Sequence, residues 1–351
     1  MIANDSLLAE IVPGLRGVER VAVDTEADSL HCYFEKLCLI QLTFHEQDYL
    51  VDPLAEIDLQ PLCAVLGEKE IVLQGMDFDL RLLRRALGFS PGDVFDTVIA
   101  ARLLGLREFS YAALVQQYFG VTLAKGSQKA NWARRPLPPT MAEYAKNDTH
   151  FLLPLAAKME EQLRECGRME WFRQSCRRGM ELAAIEREKD PDQTWRIAGS
   201  GILPPQTNAV LRALWRWRDE EARDADRPAF HILQNSALLE AAAGFVAGES
   251  PDFRHLSDRR RRGYFAAAHA ALALPPSEWP QRPPRVHKPR IRDLDKKVEA
   301  LKFRRDKQAS ELKIEPSFIA SRNALESIAA DESRADAILV EWQCELLELS
   351  R

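Results

Sequence analysis

Apolar side chains recur along the chain with two different periods, and the change of period divides it. Residues 19–26 (Glu-Arg-Val-Ala-Val-Asp-Thr-Glu) and 37–52, with Leu-Cys-Leu-Ile-Gln-Leu-Thr-Phe and then Tyr-Leu-Val-Asp, alternate or run apolar over short lengths. Such patterns predict β-strands, with Glu46-Gln47-Asp48 as a hairpin turn. A further short apolar run covers Glu70 to Gln74. Helical periodicity follows in Phe78-Asp-Leu-Arg-Leu-Leu-Arg-Arg-Ala-Leu and stops at Gly88. More helices are expected around 97–106 and 111–119, and a long one over about 140–166, where Pro138-Pro139-Thr140 suits a helix start. Strands first and helices after predict an α/β or mixed-sheet domain ending near residue 170.

The rest of the chain reads as helical. Pro191, Gly199, Gly201, Pro204 and Pro205 interrupt it as a linker. Helical stretches over 208–270 are broken by Pro228 and Pro251, and the cluster from Pro275-Pro276 through Pro283-Pro284 and Pro289 precedes a last helical segment, 294–350. Within it Leu301-Lys-Phe-Arg-Arg-Asp-Lys-Gln-Ala echoes Leu214-Trp-Arg-Trp-Arg-Asp-Glu-Glu-Ala, which suggests an internal duplication. The expected division is therefore 1–170, a linker over 171–206, a helical unit at 207–285 and a second at 290–351.

Composition adds bounds. A chain of 351 residues exceeds what one hydrophobic core usually serves, and 46% hydrophobic with 29% charged residues is an ordinary globular balance. No apolar run approaches the roughly 20 residues that span a bilayer. Met1 to Pro13 carries Asp5 and Glu10 and does not read as a signal peptide, so a cytoplasmic location without membrane association is expected. Six cysteines form no Cys-x-x-Cys pair and read as reduced core thiols rather than zinc ligands. The net charge of −5 disfavours a polyanionic partner until its distribution is considered. Residues 281–313 hold 12 Lys/Arg against 5 Asp/Glu, and Arg259-Arg260-Arg261-Arg262 lies just before them. Both stretches are candidates for phosphate contacts as well as for solvated helix faces. Trp217 and Leu214, at helical apolar spacing, read as core.

Three acidic elements carry the chemistry. Asp24 and Glu26 are two apart on a strand, so both carboxylates project from one face. Asp79 lies at a strand-to-helix junction, where a helix N-terminus favours negative charge; Asp77 competes with it as a cap. Tyr144 and Asp148 are four apart on a helix and share a face. Carboxylate oxygens are the ligands that hard divalent cations select.

Together these residues resemble the DEDDy exonucleases. The match runs through Asp24 and Glu26 in Val-Asp-Thr-Glu, Asp79 in Phe-Asp-Leu, and the Tyr144-x-x-x-Asp148 pair; Phe95-Asp96-Thr97 is similar to the family's intervening segment. The stretch Leu123-Ala-Lys-Gly-Ser-Gln-Lys-Ala-Asn-Trp-Ala-Arg-Arg-Pro-Leu is similar to the ribonuclease D branch. There Lys125, Gln128, Trp132 and Arg135 occupy the places of nucleic-acid-binding residues, and Arg259, Arg260, Arg261 and Arg262 are added as phosphate contacts. Gln74 and Asn131 depart from the usual pattern outside the metal positions. Residues from Val210 through Pro228 to Leu238 resemble an HRDC domain, the helical module shared with RecQ-type helicases.

The resemblance implies a ribonuclease H-like α/β exonuclease domain, a mixed sheet flanked by helices, followed by one or two all-α HRDC domains, the second degenerate. It implies two divalent metal ions, Mg²⁺ or Mn²⁺, held by Asp24, Glu26, Asp79 and Asp148, with Tyr144 orienting the attacking water. The implied activity is 3′→5′ exoribonuclease cleavage releasing nucleoside 5′-monophosphates. RNA is the expected partner, as tRNA precursors or other structured 3′ ends, and a monomer is favoured. A 3′→5′ DNA exonuclease and an inactive nucleic-acid-binding scaffold remain alternatives.

Overall fold

The computed structural model describes residues 1–351 except 125, 187–189, 191, 250, 252–253, 255, 282–292 and 350–351. Its described residues divide into two compact units. The first comprises Met1–Ala27, Leu37–Glu186 and the described residues after 292; the second comprises Asp28–Lys36 and the described residues between 190 and 281.

The first unit begins with α1 (Asp5–Arg16), β1 (Arg20–Ala27), β2 (Leu37–Phe44) and β3 (Gln47–Val51). It continues with α2 (Gln60–Leu66), β4 (Glu70–Leu73), α3 (Asp77–Leu87), β5 (Asp93–Asp96), α4 (Thr97–Leu103) and α5 (Tyr111–Phe119). The strands form one sheet in the order β3-β2-β1-β4-β5. β1 pairs antiparallel with β2, and β2 with β3, whereas β1–β4 and β4–β5 are parallel. This is the mixed sheet expected. Every residue of β2 is buried, as a strand covered on both faces requires. The β2–β3 turn is the pair His45-Glu46, both at positive φ, one residue earlier than the sequence suggests. That backbone matches the twist of the paired strands.

The long helix expected over 140–166 is two helices, α6 (Pro139–His150) and α7 (Leu152–Glu165). The reason is Pro154: it has no N–H to offer the His150 carbonyl, and its ring would clash there. The break is satisfied by Tyr111, whose hydroxyl donates to the Asn147 carbonyl and accepts from the Phe151 N–H, both at 3.0 Å.

Two expectations about the domains need correcting. Residues 171–184 are not linker: α8 (Met169–Ala184) buries Phe172 and Cys176, with Phe172 against Phe95 of β5. The second unit holds α9 (Pro205–Asp224), α10 (Ala229–Ile232), α11 (Asn235–Val246) and α12 (Asp258–Leu272), packed around Trp195, Leu214, Trp217, Phe245 and Tyr264. The last segment forms α13 (Leu294–Leu312), α14 (Pro316–Ile319), α15 (Arg322–Ala330), α16 (Ala335–Ile338) and α17 (Glu341–Leu346). It is not a separate core, because Leu301, Ile314, Ile319, Ile328 and Trp342 join the apolar cluster of the first unit. Trp342 stacks on Trp171 at 5.0 Å, and its indole N–H donates to Ser175. Gly105, at positive φ, leaves room for the Lys313 carbonyl, which a Cβ would strike.

The suspected echo does have a structural counterpart. A long helix, a one-turn helix and a medium helix follow one another in α9–α11 and again in α13–α15. Arg218 donates to the Leu233 carbonyl just after α10, at 2.9 Å, and Arg305 to the Ala320 carbonyl just after α14, at 3.1 Å. Donor and acceptor are displaced along the chain by the same interval.

Candidate active site

β1 presents Asp24 and Glu26 on one face of the sheet, and its ladder with β2 shifts register immediately after Glu26. α6 crosses that face and supplies Tyr144 and Asp148 one turn apart. One carboxylate oxygen from each of Asp24, Glu26 and Asp148 lies within 4.8 Å of the others. Asp79, in the first turn of α3, is 5% exposed and is held by the residue between the two β1 acids. Its Oδ1 accepts from the Thr25 N–H at 3.0 Å and the Thr25 hydroxyl at 2.5 Å. Three of the four expected acids thus share one spot, and the fourth is fastened beside it by Thr25.

The surrounding residues explain why these elements meet. Thr43 on β2 donates to Asp48 and bonds to Thr149, both at 2.7 Å, and Asp48 pairs with His150 at 2.8 Å. The C-terminal end of α6 is thereby tied to the β2–β3 hairpin. Asp96 caps α4 through the Val98 and Ile99 N–H groups and also accepts from Gly75 and Met76. One buried carboxylate thus fixes the turn into α3, where Gly75 takes a positive φ, and with it the placement of Asp79. Sequence reading placed Asp96 in a family segment without a role, and it missed Thr25, Thr43 and Tyr111. Their signal is a hydrogen-bond partner that only the fold brings near.

Burial raises every carboxyl in the group, and repulsion from the other acids adds to it at Asp24 and Glu26. Asp24 is held well above the usual carboxylate range, by burial first and then by the charges of Asp79, Asp148 and Glu26. Glu26 is pushed up to about 9 by burial, then by Asp148 and Asp79. Burial takes Asp148 to about 7, against a lowering hydrogen bond from Tyr144. Asp79 rises less, to about 6, because Thr25 stabilises its anion. The Tyr144 phenol is also raised, by burial and by the Asp148 and Glu26 charges, so it stays a donor; it bonds to Asp148 and to the Gln128 side chain. A compact set of hard oxygen donors that repel one another when ionised fits a divalent cation.

The residues expected to touch nucleic acid fare differently. Lys125 lies outside the described residues. Trp132 is 1% exposed, packed with Leu39, Met141 and Ala145, and so is core rather than a stacking platform. Its ring lies 6.2 Å from that of Tyr144. Arg135 is committed to both oxygens of Asp52, at 2.6 Å each, and to the Trp132, Arg134 and Cys38 carbonyls. Both positions pack into the wall of the site. Gln128 is exposed and reaches Tyr144. In the second unit Arg259 and Arg260 converge on Glu221, which is 8% exposed, and Arg261 pairs with Asp258. A charge buried in that way demands partners, so the run is not a free row of cations; Arg262 is exposed. On α13, Lys296, Lys302 and Lys307 each face an acid three or four residues away. As expected, Leu214 and Trp217 are core.

The geometry agrees with comparisons to known proteins. Residues 1–164 match the 3′-5′ exonuclease family model, and residues 207–245 match the HRDC domain. Ribonuclease D of Sphingobium indicum is 30% identical over 360 residues, which cover 98% of this chain and 91% of that one. Among solved structures, a protein from Bifidobacterium adolescentis superposes with a TM-score of 0.83 at 26% identity, covering 99% of this chain and 94% of that one. Escherichia coli RNase D, described as an exoribonuclease involved in structured RNA processing, gives a TM-score of 0.72 at 27% identity, with 99% and 96% covered.

Proposed function

Since the chain belongs to the ribonuclease D family and is a 3′→5′ exoribonuclease, we propose that Asp24, Glu26, Asp79 and Asp148 hold two divalent cations, Mg²⁺ or Mn²⁺, and that Tyr144 serves the hydrolytic step beside them. Divalent-metal dependence is a property of the family; the number of ions and these ligands are our reading. The observation that carries it is the convergence of three carboxylate oxygens, from β1 and α6, within 4.8 Å.

Bound there, divalent cations lower the pKa of water and neutralise charge building on the phosphoryl and leaving oxygens. The chain's own residues do the rest. Thr25 keeps Asp79 ionisable inside a buried position by donating twice to it. The Tyr144 hydroxyl orients the attacking water, a task for a neutral phenol. A water oxygen forms the new bond to phosphorus while the bond to the 3′-oxygen breaks. That oxygen takes up a proton, and the product is a nucleoside 5′-monophosphate.

We further read the substrate as RNA with structured 3′ ends, tRNA precursors in particular. The described role of the Escherichia coli relative supports this. The test is a paired assay on 5′-labelled RNA and DNA of one sequence, with Mg²⁺, Mn²⁺ or chelator. We expect stepwise shortening of RNA from its 3′ end, dependent on the cation, with DNA cut far more slowly. Equal cleavage of both strands, or cleavage in chelator, overturns the reading.

Tyr144→Phe keeps the ring against Trp132 and removes only the hydroxyl. Orientation of a reacting group contributes about 10²-fold or more. The single-turnover rate should fall by about that factor with RNA affinity within about threefold. Loss of affinity at an unchanged rate would contradict the assigned role.

A further inference from the structure

β2 contains one residue that its own packing does not explain. All eight of its side chains are buried, and seven of them are either apolar or, in Thr43, satisfied by two partners. The exception is Gln41, an amide 0% exposed between Ile40 and Leu42. Its carbonyl oxygen is buried with no hydrogen-bond partner. A leucine would fill the position without stranding a polar atom, so the amide needs another reason to be there.

Its neighbour supplies the reason. Gln41 stands directly opposite Asp24 in the β1–β2 ladder, and paired residues project from the same face. The Gln41 Nε2 group reaches Asp24 Oδ2 at 3.5 Å, the long limit of a hydrogen bond. Asp24 is one of the three carboxylates, with Glu26 and Asp148, whose oxygens lie within 4.8 Å of one another. Outer partners that hydrogen-bond a ligating carboxylate fix its rotamer and the direction of its remaining lone pairs.

We propose that Gln41 is a positioning residue for the cation site, its amide N–H fixing the orientation of the Asp24 carboxylate. This rests on the reading that Asp24 binds a cation. Gln41 does not itself touch the reacting atoms. Its buried carbonyl oxygen is left as an open acceptor beside the ligands.

The test uses the full chain and Mn²⁺ as probe, with affinity read by calorimetry and by the electron paramagnetic resonance of bound Mn²⁺. Gln41→Met keeps the side-chain length and removes the amide. Gln41→Asn keeps the amide but, one methylene shorter, withdraws it from Asp24. Both should bind Mn²⁺ about 10- to 100-fold more weakly than the parent, the usual effect of losing such a partner. Cleavage measured at low Mn²⁺ should fall in step and recover as Mn²⁺ is raised. The Gln41→Met melting temperature in chelator should be unchanged or higher, because a stranded acceptor has been removed. A merely structural role would lower that temperature and leave the Mn²⁺ affinity alone. Asp24→Ala is the control and should lose Mn²⁺ binding. If the control behaves so while either Gln41 variant stays within twofold of the parent, the positioning role is overturned and the cation reading stands. If the parent itself binds no Mn²⁺, both fall.

Discussion

Asp24→Ala should lower the rate of 3′ trimming by at least about 10³-fold, equivalent to about 4 kcal/mol of transition-state stabilisation. It should do so without unfolding the protein. Asp24 lies close to both Glu26 and Asp148 and feels the charges of Asp79, Asp148 and Glu26, so its loss disrupts any shared cation site at once. For the same reason the fold has little to lose. The carboxyl is half-buried, pushed well above its usual range, and repelled by three neighbours. Removing it relieves repulsion instead of breaking an ion pair, and the metal-free variant should melt at or above the parent's temperature. The check is a pair of measurements, single-turnover cleavage of end-labelled RNA and thermal melting in chelator. A variant that trims RNA at a rate near the parent's removes Asp24 from the chemistry. A variant that is inactive only because it melts far below the parent removes the argument that the group is held under strain.

How much of this could be read from the sequence depends on distance along the chain. Spacings of two and four residues carry their own geometry, and so the pairs Asp24/Glu26 and Tyr144/Asp148 were legible as shared faces. The strands β1 to β4 and the helix after Gly75 were legible from their periods, and the mixed sheet followed. β5 (Asp-Val-Phe-Asp) is as short as β4 but holds only two apolar residues between acids, against the run Ile71-Val72-Leu73 that marks β4. α1 has Pro13 inside it, which hides it from the same test. The single helix over 140–166 failed on one proline whose effect is local, so that error was avoidable. Trp132 and Arg135 failed for a deeper reason. A tryptophan or arginine beside a nucleic-acid site in sequence can face the solvent or the core, and only the positions of Leu39 and Asp52 decide which. The units do divide near residue 290, but the independence of the segment after it failed likewise. Breaker-rich sequence separates α12 from α13 along the chain, but the apolar face of α13–α17 found its cover on α8, through Trp342 against Trp171. The Arg-to-carbonyl bond of α9–α11 recurs in α13–α15, so the two segments share a helical arrangement. The last segment nevertheless belongs to the first core.

Without a divalent cation, the protein should lose stability as the pH rises from about 5 to 9, and the cation should reverse that trend. The sign follows from the direction of the shifts. Glu26 ordinarily titrates at 4.5 and in the fold at about 9; Asp148 moves from 3.8 to about 7, and Asp79 from 3.8 to about 6. A group raised in the folded state binds its proton more tightly there than in the unfolded chain. Its contribution is fully present below the unfolded value and is lost as the pH climbs through the folded one. Three such groups place the loss between roughly pH 4 and 9. A bound cation favours the ionised carboxylates, releases their protons and stabilises only the folded form. In chelator the melting temperature should therefore fall on the order of 5 °C across this window, a few kcal/mol for a chain of this size. In saturating Mg²⁺ or Mn²⁺ the fall should shrink or invert, so that the stabilisation by cation grows with pH. Glu26→Gln, which cannot ionise, should flatten the chelator curve while leaving the low-pH end in place. The measurement is a melting series at constant ionic strength with and without cation. Parallel curves, with a cation effect equal at pH 5 and pH 9, would show that these carboxylates are not the cation's ligands, because a ligand set that must shed protons to bind cannot be indifferent to their concentration.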